Sequence, residues 1–168
     1  MSCADDVEAY IALGANLGDG AATLRTAVQA IDALPLTRVA ARSSLYRTAP
    51  QHASGPDYWN AVILARTTLS PDALLEGLLR IESDLGRQRP SGKINAPRPL
   101  DLDLLLYGSL QRQSERLTLP HPRMAQRAFV LAPLAEIWLE GRIDGTRVTE
   151  LAEQRIAEGQ SIEKLGPL

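Results

Sequence analysis

The sequence predicts an α+β sandwich with an antiparallel sheet. Short apolar runs with a period of two alternate with segments whose apolar residues recur every three or four positions. Their order is strand–helix–strand, twice in succession. The 168-residue length suits one compact domain with a sizeable core.

Ala9 to Leu13 is a short apolar strand closed by Gly14. From Ala21 the period changes: Leu24, Ala27, Val28, Ile31 and Leu34 share one helical face, and Pro35 stops the helix. Thr37 to Tyr46 is rich in β-formers and reads as one extended segment. Tyr58 to Thr68 is an apolar strand that follows the turn-like Ser54-Gly55-Pro56-Asp57. In the second helix Ser70 is the N-cap, Pro71 suits the first turn and Gly86 suits a left-handed C-terminal position. Its stripe of Leu74, Leu75, Leu78, Ile81 and Leu85 carries Glu82 at one edge. Asp101 to Tyr107 is the fourth strand of the pattern. The βαββαβ order is that of a ferredoxin-like sandwich, with C-terminal helical additions at Pro122–Leu139 and Thr149–Glu158.

Composition narrows the function. Apolar residues make up 45% and the formal net charge is −2, which argues against a disordered chain and against a general nucleic-acid or membrane-surface binder. The single cysteine excludes an intramolecular disulfide, and with two histidines it leaves little for a nitrogen- and sulfur-ligated zinc site. Seven aromatic residues are few for a single-strand stacking surface. The N-terminus lacks a basic start followed by an apolar run, and no stretch approaches the ~20 apolar residues that span a bilayer. A cytoplasmic location is therefore expected.

The segment with most chemistry is Arg98-Pro99-Leu100-Asp101-Leu102-Asp103-Leu104. In a strand, Asp101 and Asp103 project to one face about 6.5 Å apart. Leu102, Leu104 and Leu106 are expected on the other. Two parallel carboxylates repel unless a cation lies between them, and Mg²⁺ favours such hard oxygen ligands. The alternative is two aspartates at the solvent edge of a strand. Four cations, Arg87, Arg89, Lys93 and Arg98, lie between Leu85 and Asp101 with no acid among them. Arg112, Arg116, Arg123 and Arg127 follow against one further acid, Glu115. Guanidinium forks beside a carboxylate–metal platform describe a polyphosphate site; a solvated basic loop is the alternative. Neither the G-x-x-x-x-G-K-[ST] nor the G-x-G-x-x-G signature occurs, so a glycine cradle is not expected to hold the phosphates. His121, between Pro120 and Pro122, either faces a ligand or caps the next helix. Tyr58 and Asn60 share a strand face that Trp59 does not, offering a ring and an amide to a flat heterocycle. The default for Phe129 is core packing.

Six stretches in order resemble the 6-hydroxymethyl-7,8-dihydropterin pyrophosphokinase family. They are Tyr10–Asp19, Ser43–Pro50, Pro56–Ala61, Arg80–Glu82, Pro97–Asp103 and Leu117–Met124, with Arg127 and Phe129 at the family's spacing. The resemblance implies one pyrophosphokinase domain over 1–168 that moves the terminal pyrophosphate of ATP to the pterin hydroxymethyl group. It implies Asp101 and Asp103 as ligands of two Mg²⁺ ions, and Arg87 and Arg98 as catalytic cations on the triphosphate, with Arg89 assisting. Arg116, Thr118, His121, Arg127 and the Leu104 backbone would contact ATP; Thr48, Pro50, Tyr58, Asn60 and Phe129 would hold the pterin. ATP and the pterin are thus the expected partners of a monomer, with no nucleic acid and no membrane. The chain departs from the family's frequent Arg-Trp-Gly-Pro-Arg run, having Ile94-Asn95-Ala96-Pro97-Arg98. The alternative that this raises is a catalytically weak or inactive relative that binds nucleotide or pterin.

Overall fold

A computed structural model describes residues 6–16, 19–49, 57–86 and 100–168. The central sheet contains β1 (Val7–Ala15), β2 (Thr37–Arg42), β3 (Ser44–Thr48), β4 (Tyr58–Thr67), β5 (Asp101–Tyr107) and a C-terminal strand, Glu163–Pro167. The path across it runs from that C-terminal strand through β3, β4 and β1 to β5, with β2 also paired to β4, and the pairings are antiparallel. Long strands β1 and β4 are central because their residues are apolar on both faces, and both faces are covered.

Helices α1 (Gly20–Asp32) and α2 (Pro71–Gly86) cover one face. Asp19 caps α1 by accepting from the Ala22 N–H at 3.1 Å, and Ser70 caps α2 by accepting from the Ala73 N–H at 3.1 Å. The core on this side joins Leu24, Val28 and Ile31 to Leu74, Leu78 and the inward residues of β1. Leu24, Ile31, Leu74 and Leu78 are wholly buried, each worth about 1.5–3 kcal/mol relative to exposure.

The predicted helical additions form a third layer on the opposite face. This layer consists of α3 (Ala128–Ile137) and α4 (Val148–Ala157); a small ribbon, β6 (Arg112–Gln113) with β7 (Thr118–Leu119), precedes α3, and a second, β8 (Arg142–Ile143) with β9 (Thr146–Arg147), lies between the two helices in the chain. The C-terminal strand is accordingly β10. Val130, Leu131 and Leu134 pack on Tyr10, Val62, Leu64 and Leu105. Trp138, half-buried, packs against this core with its ring centroid 5.5 Å from that of Tyr10 and tilted by 35°.

Two strand expectations are corrected. The segment expected to be continuous from Thr37 to Tyr46 is two strands, β2 and β3, broken at buried Ser43. Between the flanking pairs Arg42–Ile63 and Tyr46–Asn60, Ser43, Ser44 and Leu45 face only Ala61 and Val62, which bends the ribbon. The Ser43 hydroxyl accepts from the Val62 N–H at 2.9 Å, holding the bend to β4. In β5 the alternation holds for Leu102 and Leu104 but not for Leu106. A register shift opposite Tyr10–Ile11 leaves Leu105 as an extra residue, so Leu105 and Leu106 both join the α3/α4 side. No helix among the described residues is long and apolar enough to cross a membrane.

Candidate active site

The C-terminal ends of β1 and β3 and the N-terminal ends of β4 and β5 meet at one end of the sheet. Cross-strand register there aligns Tyr46, Asn60, Gly14 and Asp101 in a single row over four strands. Ala12 faces Asp103 and Thr48 faces Tyr58 beside it. Alternation sends these side chains to the face that carries α3 and α4. Trp59 points the other way, against Gly20 at the start of α1, where a Cβ would lie 1.6 Å from the indole.

The floor of small residues opens a cavity of about 800 Å³. Ala12, Gly14, Asp101 and Asp103 line its base, Thr48, Tyr58 and Asn60 one side, and Arg127 and Phe129 the wall from the start of α3. Seven expected site residues therefore come together: Asp101, Asp103, Thr48, Tyr58, Asn60, Arg127 and Phe129. Phe129 lines the cavity, where the residues alone suggested core packing. Buried Asn60 is oriented by its Nδ2, which donates to the Thr48 Oγ1 at 3.1 Å. The Arg127 guanidinium lies 5.5 Å from the Phe129 ring centroid, a cation–π contact at the cavity wall.

Asp101 and Asp103 are residues of this cavity that could hold Mg²⁺. Asp101 and Asp103 share one face and one cavity, and among the described residues no group of three or more His, Cys, Asp or Glu side chains converges. A two-carboxylate, oxygen-only donor set suits an ion that takes its remaining ligands from water and phosphate. Glu82 holds the strand between them: its Oε2 accepts from the Leu102 N–H at 2.6 Å, anchoring β5 to α2.

Among the described residues, four further expected contacts, Leu104, Arg116, Thr118 and His121, do not line the cavity. Arg116 pairs with Glu76 on α2 and does not line the cavity. Thr118 is in the β6–β7 ribbon, its hydroxyl donating to the Ser114 carbonyl at 3.4 Å. The Leu104 side chain is core, so only its backbone could serve a ligand. The His121 Nδ1 accepts from the Arg123 N–H at 3.2 Å, a local bond that leaves the following 3₁₀ turn without a side-chain cap, while the backbone N–H of His121 donates to the Leu105 carbonyl at 2.9 Å. Burial lowers the pKa of His121, the Arg127 and Arg123 charges add to the fall, and Asp103 opposes it. Arg87, Arg89, Arg98 and Pro50 lie outside the described residues, as do His52 and the Ile94–Pro97 stretch. Gln126 and the wall from Glu158 to Ile162 have no sequence signal, yet they line the cavity.

Residues 10–139 match the model of the 7,8-dihydro-6-hydroxymethylpterin-pyrophosphokinase (HPPK) family. The chain belongs to this family. The similarity to the 2-amino-4-hydroxy-6-hydroxymethyldihydropteridine pyrophosphokinase of Methylorubrum extorquens is 46% identity, over 84% of this chain and 89% of the relative. The Haemophilus influenzae protein of the same name is 43% identical over 88% of this chain and 92% of its own length. Among solved structures, an HPPK-DHPS in complex with substrates superposes with a TM-score of 0.70 at 12% identity, covering 91% of this chain but 44% of that one. A Plasmodium falciparum HPPK-DHPS gives a TM-score of 0.71 at 14% identity, with 91% and 45% coverage. The chain thus spans under half the length of those two-part proteins, and the shared part has the HPPK fold. The match ends at residue 139, so the cavity wall at 158–162 is contributed by chain beyond it.

Proposed function

We propose that this HPPK-family chain transfers the terminal pyrophosphate of ATP to the hydroxymethyl group of 6-hydroxymethyl-7,8-dihydropterin, in folate biosynthesis. The hydroxymethyl oxygen bonds to the β-phosphorus as the bond from that phosphorus to the AMP oxygen breaks, giving AMP and the pterin diphosphate. The observation that carries the reading is the Asn60–Gly14–Asp101 row. Two strand spacings, roughly 10 Å, separate a buried amide suited to a heterocycle edge from a carboxylate pair suited to a metal–phosphate complex. A ligand lying along this row would have its ring at Asn60 and its exocyclic hydroxyl toward Asp101.

Roles follow from chemistry. Tyr58 and Phe129 offer rings to the two faces of the pterin, Asn60 and Thr48 offer polar atoms to its edge, and Pro50 is proposed beside them on the family resemblance. Asp101 and Asp103 would hold Mg²⁺, two ions by that resemblance. Bound there, magnesium supplies neutralisation of phosphate charge and a lowered pKa for a coordinated hydroxyl. Arg127 brings a guanidinium to the phosphate end, with Arg87, Arg89 and Arg98 proposed there on the resemblance. His121, Thr118, the Leu104 backbone and Arg116 are proposed nucleotide contacts on the same ground; Arg116 would have to leave Glu76 to serve. Positioning and charge neutralisation are the demands of such a transfer, which needs no covalent nucleophile. One domain, working as a cytoplasmic monomer, is proposed on the same resemblance.

The test is AMP formation from MgATP with and without the pterin, in the wild type and in Asp101→Ala and Asp103→Ala. Pterin-dependent AMP that disappears in both variants, with the fold retained by circular dichroism, is the expected result. Substantial turnover in either variant would falsify the metal assignment. Binding of both ligands without AMP would replace the enzyme reading with that of a binding protein.

A further inference from the structure

We infer that Gln160 is a positioning residue for Arg127 and Phe129, acting from the C-terminal tail. Its carboxamide bridges the two peptide groups that flank Arg127. Oε1 accepts from the Ala128 N–H at 2.8 Å, and Nε2 donates to the Gln126 carbonyl at 2.9 Å. Only one orientation of the amide satisfies both, because one backbone group must donate and the other must accept.

Arg127 needs such a clamp. It is the single extended residue, at φ −124° and ψ 112°, between the 3₁₀ turn Met124–Gln126 and α3. Its own N–H reaches the Met124 carbonyl only at 3.5 Å, and its side chain makes no capping bond to α3. The first N–H groups of a helix have no partner within it, and Gln160 supplies one from 32 residues further along the chain. Two soft backbone angles at Arg127 set the direction of its guanidinium and of Phe129, both on the cavity wall.

The tail is built to deliver this side chain. Gly159, at φ +111°, turns the chain back from the end of α4. The Gln160 N–H donates to the Arg155 carbonyl at 3.2 Å, and three residues later β10 pairs with β3 through Glu163–Arg47 and Lys164–Tyr46. Gln160 is therefore held from both sides.

The kinetic part of this inference rests on the proposed pyrophosphoryl transfer; amide exchange in ligand-free protein tests the clamp without it. Gln160→Met keeps the side-chain length and removes both bonds. Exchange of the Ala128 amide should quicken at least tenfold. The KM for ATP and for the pterin should each rise about tenfold, with kcat within threefold, as for a lost uniform binding contribution. Glu163→Gln, which weakens the tail's exposed ion pair but not the clamp, should leave both KM values within twofold. If the wild type makes no AMP, the transfer reading fails and the exchange experiment still decides on the clamp. Should Gln160→Met not fold, Gln160→Glu retains the acceptor for Ala128 and loses the donor to Gln126; protection at Ala128 should survive. An Ala128 amide that exchanges in Gln160→Met at the wild-type rate overturns the inference, as do unchanged KM values in an active enzyme. Loss of protection at Ala128 in Gln160→Glu overturns it equally.

Discussion

Replacing Gly14 by alanine should separate stability from pterin binding. Gly14 lies in β1 between Asn60 on β4 and Asp101 on β5. A methyl group there would meet the Asn60 Oδ1 at 3.3 Å and the Trp59 carbonyl oxygen at 3.9 Å, and no other described atom beyond its chain neighbours within 4 Å. The backbone at Gly14 is not in the left-handed region, so alanine is conformationally acceptable. Such a Gly-to-Ala change gains about 0.4–1 kcal/mol by restricting the unfolded chain. Against this, Asn60 must yield by a few tenths of an ångström, and it is buried and tied to Thr48 at 3.1 Å. Loosening that bond costs about 1 kcal/mol, which offsets the gain.

The melting temperature should therefore stay within about 2 °C of the wild type, since 1 kcal/mol moves a domain of this size by roughly 2–4 °C. Binding has no such compensation. If the Asn60 amide reads the heterocycle edge, its displacement should cost about 1–1.4 kcal/mol of ligand binding, roughly five- to tenfold in pterin KM. The KM for ATP should remain within twofold, because the methyl group does not reach Asp101. Thermal denaturation and initial rates at varied concentrations of each substrate measure all three quantities. An unchanged pterin KM, or equal rises for both substrates, would refute the assignment of Asn60 to the heterocycle end.

Tyr46→Phe should destabilise the chain by about 1–2 kcal/mol and lower its melting temperature by roughly 2–8 °C without changing kcat, since Tyr46 ties β3 to Glu136 on α3 away from the cavity. Burial pushes the Glu136 carboxyl up, but the Tyr46 hydroxyl, Ser44 and Lys164 together hold it below its usual range. This interaction thus stabilises the fold above the ordinary carboxylate pKa and is lost as pH falls through the depressed one, so acid unfolding should show a weaker pH dependence in Tyr46→Phe. His121 should titrate below 6.5, as its ring resonances followed by NMR will report, with a His52 variant giving the assignment. Because its folded pKa is lowered, the unfolded chain takes up the proton first: stability should fall as pH drops from 6.5 toward the folded value, and His121→Asn should flatten that slope. An imidazole still half-protonated at or above pH 6.5 would contradict this environment for His121.

What could be read from sequence was what local chemistry decides. Ser70 and Pro71 announce α2 because capping is satisfied within four residues. Asp101 and Asp103 were recognisable as a pair because a period of two is a property of any strand. The alternation failed at Leu106 because a register shift is decided by the partner strand: β1 offers one residue fewer than β5 needs. Ser43 hides its break in the same way, by bonding to β4. β10, with the sequence Glu-Lys-Leu-Gly-Pro, carries no strand signature, since its order comes from pairing with β3 and from the Arg47–Glu163 ion pair. Gln160 was invisible for a related reason: a carboxamide gains its role only where a distant donor and acceptor happen to flank one residue.

The two sides of the sheet explain why the site lies where it does. On the α1/α2 side, large aliphatic residues fill the layer and Trp59 packs against Gly20. On the opposite side α3 and α4 pack on Tyr10, Val62, Leu64 and Leu105, whereas β1 continues as Ala12 and Gly14 toward the open end. Small residues there cannot reach the third layer, so the gap persists as the cavity. The strands beside that gap present Asp101, Asp103, Asn60 and Thr48, polar side chains that would be costly in a closed core and are useful beside a charged ligand. The same spacing that denies β1 a packing partner thus gives the carboxylate pair and the amide a shared volume in which chemistry can occur.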